Sequence, residues 1–504
     1  MNIFFKIKRC NIKDCKGEFV LNKSNVELLP HLPKSIVRNI GGFKLDAYLV
    51  ALEGWRKGLQ LKWYKNESPL CEIDKLNSST QGKFFSLSSD NRLHYFFRSR
   101  GDKVANKAVR VCQSKEKTKE IIKSKGLSIP KGTNFQASDS NIIKYAEEIG
   151  YPVVIKPLNG SMGKGVYTNL RNGIELESAA KDYQERFQYN RLIVEKYYPG
   201  NEYRVYVVGD KVIAATKRVP ANIIGDGLSN VQELINQKNI KRKENPYLAP
   251  KPIKVDYEVL NSLKKIGYTL ESVPRNQEWI QLRSKSNLSS GGDPIDATDS
   301  LSDEIKDLAV NTLKAIPEIP HAGVDIIVAP ENNKQGVVLE VNATAEIAFH
   351  MFPLVGKARD IPKALIDYYF PEVAKNERSR FYFDFDSIIE PLKTWAAEEI
   401  VVSSIPKGQL NGIKFIVSGK VVKVGYMNWI KRQALLRGFH GFSKIKNGNV
   451  EVTIFGPNLD DLENFKKQCF KGSKRSKVEH VKVVPLNFKK RRAVNLGFRI
   501  ISKK

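Results

Sequence analysis

The sequence predicts an α/β protein of several domains, and three observations carry that expectation. The chain has 504 residues, too many for one hydrophobic core. Helical patterns and short apolar runs alternate between about residues 45 and 369, as they do in layered α/β folds. Residues 411–486 then follow a compact β-α-β-β-α-β order. A hydrophobic content of 41% with 10% aromatics fits a globular chain rather than a disordered one.

In the N-terminal region, residues 1–112, a helix over 45–58 feeds a strand over 59–64, and 84–87 and 94–97 read as further strands. Residues 115–125 form a predicted helix stopped by Gly126, with Pro130 beyond it. A second helix covers 139–150, capped by Ser138 or Asp139. Strands follow at 152–155, 192–194, 203–208 and 212–216, with Gly209-Asp210 as the hairpin signal between the last two. Helices near 301–315 and 362–369 close a central region, residues 113–372. The charged run 372–380 opens a predicted linker, 373–410, before the compact unit 411–488 and a basic tail, 489–504.

Composition narrows the partners. Lys and Arg number 83 against 54 Asp and Glu, a net charge of +29, about half of it beyond residue 380. No helix-turn-helix, zinc-finger or ribonucleoprotein motif converts that charge into recognition, so it reads as a solvated basic surface rather than a nucleic-acid footprint. The cysteines Cys10, Cys15, Cys71, Cys112 and Cys469 are scattered and odd in number, which suits a reducing cytoplasm. No apolar run reaches transmembrane length and the start lacks a secretory pattern, so a cytoplasmic protein without a membrane partner is expected.

Chemistry concentrates in two places. Residues 151–165 read as a buried strand that delivers Lys156, then a loop with Gly160, Ser161, Gly163 and Gly165. Glycines let backbone N–H groups approach an anion, and the lysine supplies charge, although such a turn on its own is most often only a turn. The spacing is neither a Walker loop nor a dinucleotide fingerprint. Further on, Asp325, Glu340 and Asn342 stand at the ends of two neighbouring strands, with Glu340 and Asn342 on one face. Two carboxylates and an amide are hard oxygen donors that suit magnesium.

Together these strings resemble an ATP-grasp ligase, most of all the ATP-grasp part of cyanophycin synthetase, and next the bifunctional glutathione-synthesising ligases. The matching segments are 150–157, 194–200, 203–205, 218–227, 287–292 and 340–342, in order over about half the chain. The resemblance implies that Lys115 and Lys156 contact the nucleotide phosphates, and that Glu195 with the backbone of Lys196 and Tyr197 forms an adenine hinge. Glu202 would hold the ribose, and the loop containing Gly160, Ser161, Gly163 and Gly165 would close over the phosphates. Arg218 and Arg283 would be catalytic, neutralising the transferred phosphoryl group. Asp325, Glu340 and Asn342 would bind magnesium, with manganese as an alternative ion. The implied activity is ATP-dependent joining of a carboxylate donor to an amine acceptor, amino acids or peptides, through an acyl phosphate.

The chain departs from that family past Asn342. Ala345 and Glu346 stand where related ligases carry Pro-Gly, Ala348 where the nearest have arginine, and His350 remains. Residues 415–427, 438–441, 448–452 and 476–481 resemble acylphosphatase, which implies a ferredoxin-like sandwich. Met427 takes the place of that family's phosphate-binding arginine, and Ile445 that of its asparagine, so a binding or docking domain is expected there. The alternatives are an acylphosphatase-type hydrolase and a basic polyanion-binding protein.

Overall fold

The computed structural model describes residues 26–66, 73, 79–158, 165–183, 185, 191–406, 410–486 and 493–501. Of the predicted phosphate loop, Gly160, Ser161 and Gly163 lie outside the described residues.

The N-terminal unit packs the helix Phe43–Arg56 on a five-stranded antiparallel sheet. Its order is Glu399–Val402, Gln60–Tyr64, Phe84–Ser88, Leu93–Phe97 and Arg100–Gly101. The first of these strands comes from residues 373–410, so that region is folded into the N-terminal unit and is not the expected linker. Phe383 packs edge-on against both Tyr48 and Trp55, and the Trp55 indole donates to the Ser403 carbonyl at 2.9 Å. Arg378 grips both oxygens of Glu53 at 2.6 and 2.8 Å. A local charge run looked solvated because its partners lie some 300 residues away in sequence.

Two sheets form the central region. The smaller has the order Gly132–Gln136, Arg191–Lys196, Val153–Pro157, Tyr167–Leu170 and is antiparallel throughout. Helices Asn141–Ile149 and Gly173–Asp182 bury Ile142, Ala146, Leu176 and Ala179 with Val153, Ile155 and Val194. The first of these helices is capped by Ser140, without a side-chain bond, rather than by the expected Ser138 or Asp139, although the Asp139 carboxylate accepts from the Asn141 N–H at 2.9 Å. The larger sheet runs Asp293–Asp296, Lys211–Val219, Asn201–Val208, His321–Val328, Gly336–Asn342, also antiparallel. Strand alternation sends Val205, Val207, Ala215, Val324 and Ile326 against helices Lys115–Ser124 and Asp303–Ala315, through Ile122, Ile305, Ala309 and Leu313. The polar residues of the same strands therefore share the opposite face.

The C-terminal sheet has the order Lys477–Pro485, Asn411–Lys420, Asn449–Gly456, His440–Lys446, Phe498–Ile501. Helices Tyr426–Leu436, Leu459–Asn464 and Lys466–Lys471 pack with it around Phe415, Ile430, Val452 and Phe465. Residues 493–501 are not a free tail. Phe498 is buried, and Val494–Asn495 pairs in parallel with Phe381–Tyr382.

Candidate active site

Strand register alone assembles most of the site. On the larger sheet Glu202 lies opposite Arg218, and Arg204 lies opposite Thr216 on one side and Asp325 on the other. Asp325 in turn faces Glu340. Residues two apart share a face, so Glu202 and Arg204, Thr216 and Arg218, and Glu340 and Asn342 are all gathered on one surface. Gly323 keeps that surface open, since a Cβ there would sit 2.7 Å from Arg204 Cδ.

The charges are closely paired. Arg204 Nη2 donates to Asp325 at 2.8 Å, and Arg218 Nη2 donates to the same carboxylate at 2.6 Å while also reaching Glu202. Burial alone would raise Asp325, but the guanidinium groups of Arg204 and Arg218 outweigh it and hold the carboxyl at about 2. Glu340 moves the other way, raised by burial and by the charge of Asp325. Its Oε1 accepts from the Asn342 amide at 3.1 Å. Ser286 donates its hydroxyl to Glu202, which brings the 287–292 segment to the same place.

A lysine cluster adjoins this surface. Lys156 sits two residues along from Val154, which pairs with Glu195, and its Nζ is 2.7 Å from Glu195 Oε2. Lys119 forms an ion pair with the other Glu195 oxygen. Burial, then the positive charge of Lys115, pushes Lys156 down to about 8, and burial, then the charge of Lys156, lowers Lys119. Lys115 is also lowered by burial, and its Nζ donates to the Leu158 carbonyl at 3.4 Å. Glu340 lies within electrostatic reach of all three lysines, so the two halves of the site are continuous.

Other expected residues fall as follows. The N–H groups of Lys196 and Tyr197, the expected adenine hinge, donate to the carbonyls of Lys131 and Pro152. Gly165 holds a φ of 69° and its carbonyl accepts from the Tyr183 hydroxyl. Arg283 pairs with Asp256 and Glu258, each at 2.5 Å, and none of its described partners belongs to the Arg204–Asp325 cluster. Sequence reasoning missed Lys119, although it lies one helical turn from Lys115 and so on the same face. It also passed over Arg204, inside the quoted string 203–205.

Past Asn342 the chain turns into the short helix Ala348–Met351. His350 is buried, and its Nδ1 shares a hydrogen bond with Thr216 Oγ1 at 2.7 Å. Burial and the two guanidinium groups push its imidazole well below the usual range, so the ring is neutral. Among the described residues its Nε2 has no hydrogen-bond partner. In the C-terminal domain, Met427 lies in the first turn of Tyr426–Leu436 and packs against the core, and Ile445 lies on His440–Lys446. The preceding loop carries Lys423 at φ 60° and Gly425 at φ 79°.

Among the described residues no three His, Cys, Asp or Glu side chains gather as a metal cluster, and no helix is long and apolar enough to cross a membrane. Residues 114–245 match the carbamoyl-phosphate synthase L chain, ATP binding domain, and residues 413–500 match acylphosphatase. Cyanophycin synthetase from Nostoc sp. is 38% identical over 287 residues, 55% of this chain and 31% of that protein. The glutathione biosynthesis bifunctional protein of Pasteurella multocida is 33% identical over 273 residues, 52% of this chain and 36% of that protein. A crystal structure of the bifunctional glutathione synthetase from Pasteurella multocida is 30% identical with a TM-score of 0.45, covering 60% of this chain and 41% of that one. The chain spans about a third of the length of the curated relatives it matches. It carries an ATP-grasp domain homologous to those of cyanophycin synthetase and the bifunctional glutathione-synthesising proteins, followed by a C-terminal acylphosphatase-like domain.

Proposed function

We propose that this chain is an ATP-dependent carboxylate–amine ligase that forms an amide bond through an acyl phosphate, releasing ADP and phosphate. One observation carries the proposal: a single sheet face gathers Arg204, Arg218, Asp325, Glu340 and Asn342 within electrostatic reach of Lys115, Lys119 and Lys156. A carboxylate is a poor electrophile until its oxygen is made a leaving group. In phosphoryl transfer the charge builds on equatorial oxygens, so positioned cations carry most of the catalysis.

In this proposal Lys115 and Lys156 hold the nucleotide phosphates, Glu195 and its strand hold the base side, and Glu202 the ribose. Arg218 meets the transferred phosphoryl group, and Arg204 keeps Asp325 ionised. Asp325, Glu340 and Asn342 fit a hard divalent cation, magnesium or manganese. The raised Glu340 beside ionised Asp325 is a like-charge pair that such an ion relieves. The ion would supply charge neutralisation at the phosphates. Donor and acceptor are amino acids or peptides, and the acylphosphatase-like domain, with Met427 and Ile445 at its two key positions, serves binding rather than hydrolysis.

The test is an ADP-release screen over pairs of amino acids and dipeptides, with mass spectrometry of the product. Lys156→Ala and Glu340→Ala should each abolish ADP release in a folded protein. Normal turnover in both variants would overturn the ligase proposal. Rapid hydrolysis of benzoyl phosphate by the full chain would instead favour a hydrolase.

A further inference from the structure

The segment past Asn342, in which Ala345, Glu346 and Ala348 are the expected departures from related ligases, is clamped from the N-terminal unit. One oxygen of Asp46, on the helix Phe43–Arg56, accepts from the N–H groups of Ile347 and Ala348, both at 3.1 Å. The Ser99 hydroxyl donates to the Ala345 carbonyl at 2.6 Å. Gly323 lets the segment lie close to the sheet, since a Cβ there would come within 2.8 Å of Ala345 Cβ. Glu346 therefore projects from backbone pinned on both sides.

Its carboxylate is held in one orientation. Oε2 accepts from the Tyr247 hydroxyl at 2.9 Å, and Oε1 accepts from Lys251 Nζ at 3.3 Å. The Lys251 ammonium also lies over the Tyr247 ring, 3.4 Å from its centroid. A carboxylate offers about four lone-pair sites, and these two donors leave room for more. The side chain is 27% exposed, whereas Asp46 and Arg98 beside it are buried.

The surrounding charges are already matched. Arg98 Nη2 lies 3.5 Å from Asp46, and its guanidinium stacks on Phe43 at 3.5 Å. Arg204 and Arg218 are engaged by Asp325 and Glu202. A Cβ on Gly323 would meet both Arg204 Cδ at 2.7 Å and Ala345 Cβ at 2.8 Å, so the residue before Glu346 adjoins the arginine–carboxylate cluster. Glu346 is already paired with Lys251 through one oxygen, but its partly open carboxylate keeps lone pairs that a further cationic donor can take.

We propose that Glu346 binds the ammonium group of the amine acceptor and so selects a second substrate that arrives as a cation, which gives up a proton to bulk water before its nitrogen attacks the acyl phosphate. Tyr247, Lys251 and Asp46 act as positioning residues for it. The assignment rests on the ligase proposal above.

The test compares this chain with its Glu346→Gln variant, using ADP release against the concentration of the amino acid or dipeptide that the ADP-release screen picks as acceptor, at saturating ATP, magnesium and the donor from the same screen. A parallel series replaces the amine with hydroxylamine, a nucleophile largely uncharged at neutral pH that converts acyl phosphates to hydroxamates. The variant should raise the amine KM at least about tenfold, as expected for losing a charge-assisted hydrogen bond. The ATP KM and the hydroxamate rate should stay at wild-type levels, which also shows that the variant is folded. Tyr247→Phe should raise the amine KM by a smaller factor. An unchanged amine KM in Glu346→Gln, with hydroxamate still formed, would overturn this assignment and leave the ligase proposal standing. Absence of both ADP release and hydroxamate in the wild type would overturn the ligase proposal, and this assignment with it.

Discussion

Arg204 and Asp325 stand directly opposite each other on adjacent antiparallel strands, and both are buried. The strand register sets their separation before any side chain chooses a rotamer. Arg218 converges on the same carboxylate from the next strand. Removing one partner would leave a buried charge uncompensated, which costs about 3–5 kcal/mol. Arg204→Met should therefore lower stability by roughly that amount, read from urea unfolding. Loss of less than about 1 kcal/mol would show that Arg218 alone satisfies Asp325.

Lys156 gives the free protein a pH signature. Burial and Lys115 lower it to about 8, so it is mostly protonated at pH 7 and mostly neutral at pH 9. Affinity for a non-hydrolysable ATP analogue, measured by calorimetry, should weaken about tenfold between those values. Lys156→Arg keeps its charge and should flatten the profile. The stability effect has the opposite sign, because the unfolded chain binds more protons between about 8 and 10.5, so this lysine's contribution to stability rises with pH across that window.

Glu340 should govern the cation requirement. Glu340→Gln removes the like-charge contact with Asp325 and one anionic ligand together. We expect a fold at least as stable as wild type, and a magnesium concentration for half-maximal ADP release raised about tenfold or more. An unaltered magnesium titration would remove Glu340 from the metal set.

Asp46 links the clamp to acid pH. Burial raises it to about 6 from 3.8, against the pull of Arg98. The folded protein therefore binds more protons than the unfolded chain between those values, and this residue's contribution to stability falls as pH rises through them. Asp46→Asn retains an oxygen acceptor for Ile347 and Ala348 but cannot titrate. The stability difference should shift toward the variant by up to about 3 kcal/mol between pH 4 and 6.5. A pH-independent difference in denaturation midpoints would contradict this.

Much of the fold was legible because it is locally encoded. The Gly209-Asp210 turn joins the Asn201–Val208 and Lys211–Val219 strands, and the spacing of two between Glu340 and Asn342 leaves their side chains in contact. What the sequence hid was pairing at a distance. Arg283 is paired with Asp256 and Glu258 at the start of the Tyr257–Lys265 helix, partners that its own stretch of sequence did not announce. Arg378 looked like linker charge, yet it is spent on Glu53. Lys119 was readable from helical spacing, but nothing local distinguished it from the solvated lysines around it. Ser286 reaches Glu202 only because two strands and a loop converge there.

The strand Glu399–Val402 completes a sheet whose other members end by Gly101. During synthesis from the N-terminus, Gln60–Tyr64 must wait for residues that leave the ribosome more than 300 positions later, an interval of tens of seconds at about 5–20 residues per second. Until then its hydrogen-bonding edge is open to strands of other nascent chains. Premature stop codons before residue 399 should thus yield insoluble fragments even when the whole nucleotide-binding region has been translated. Proteolytic nicking after folding would leave the same pieces associated.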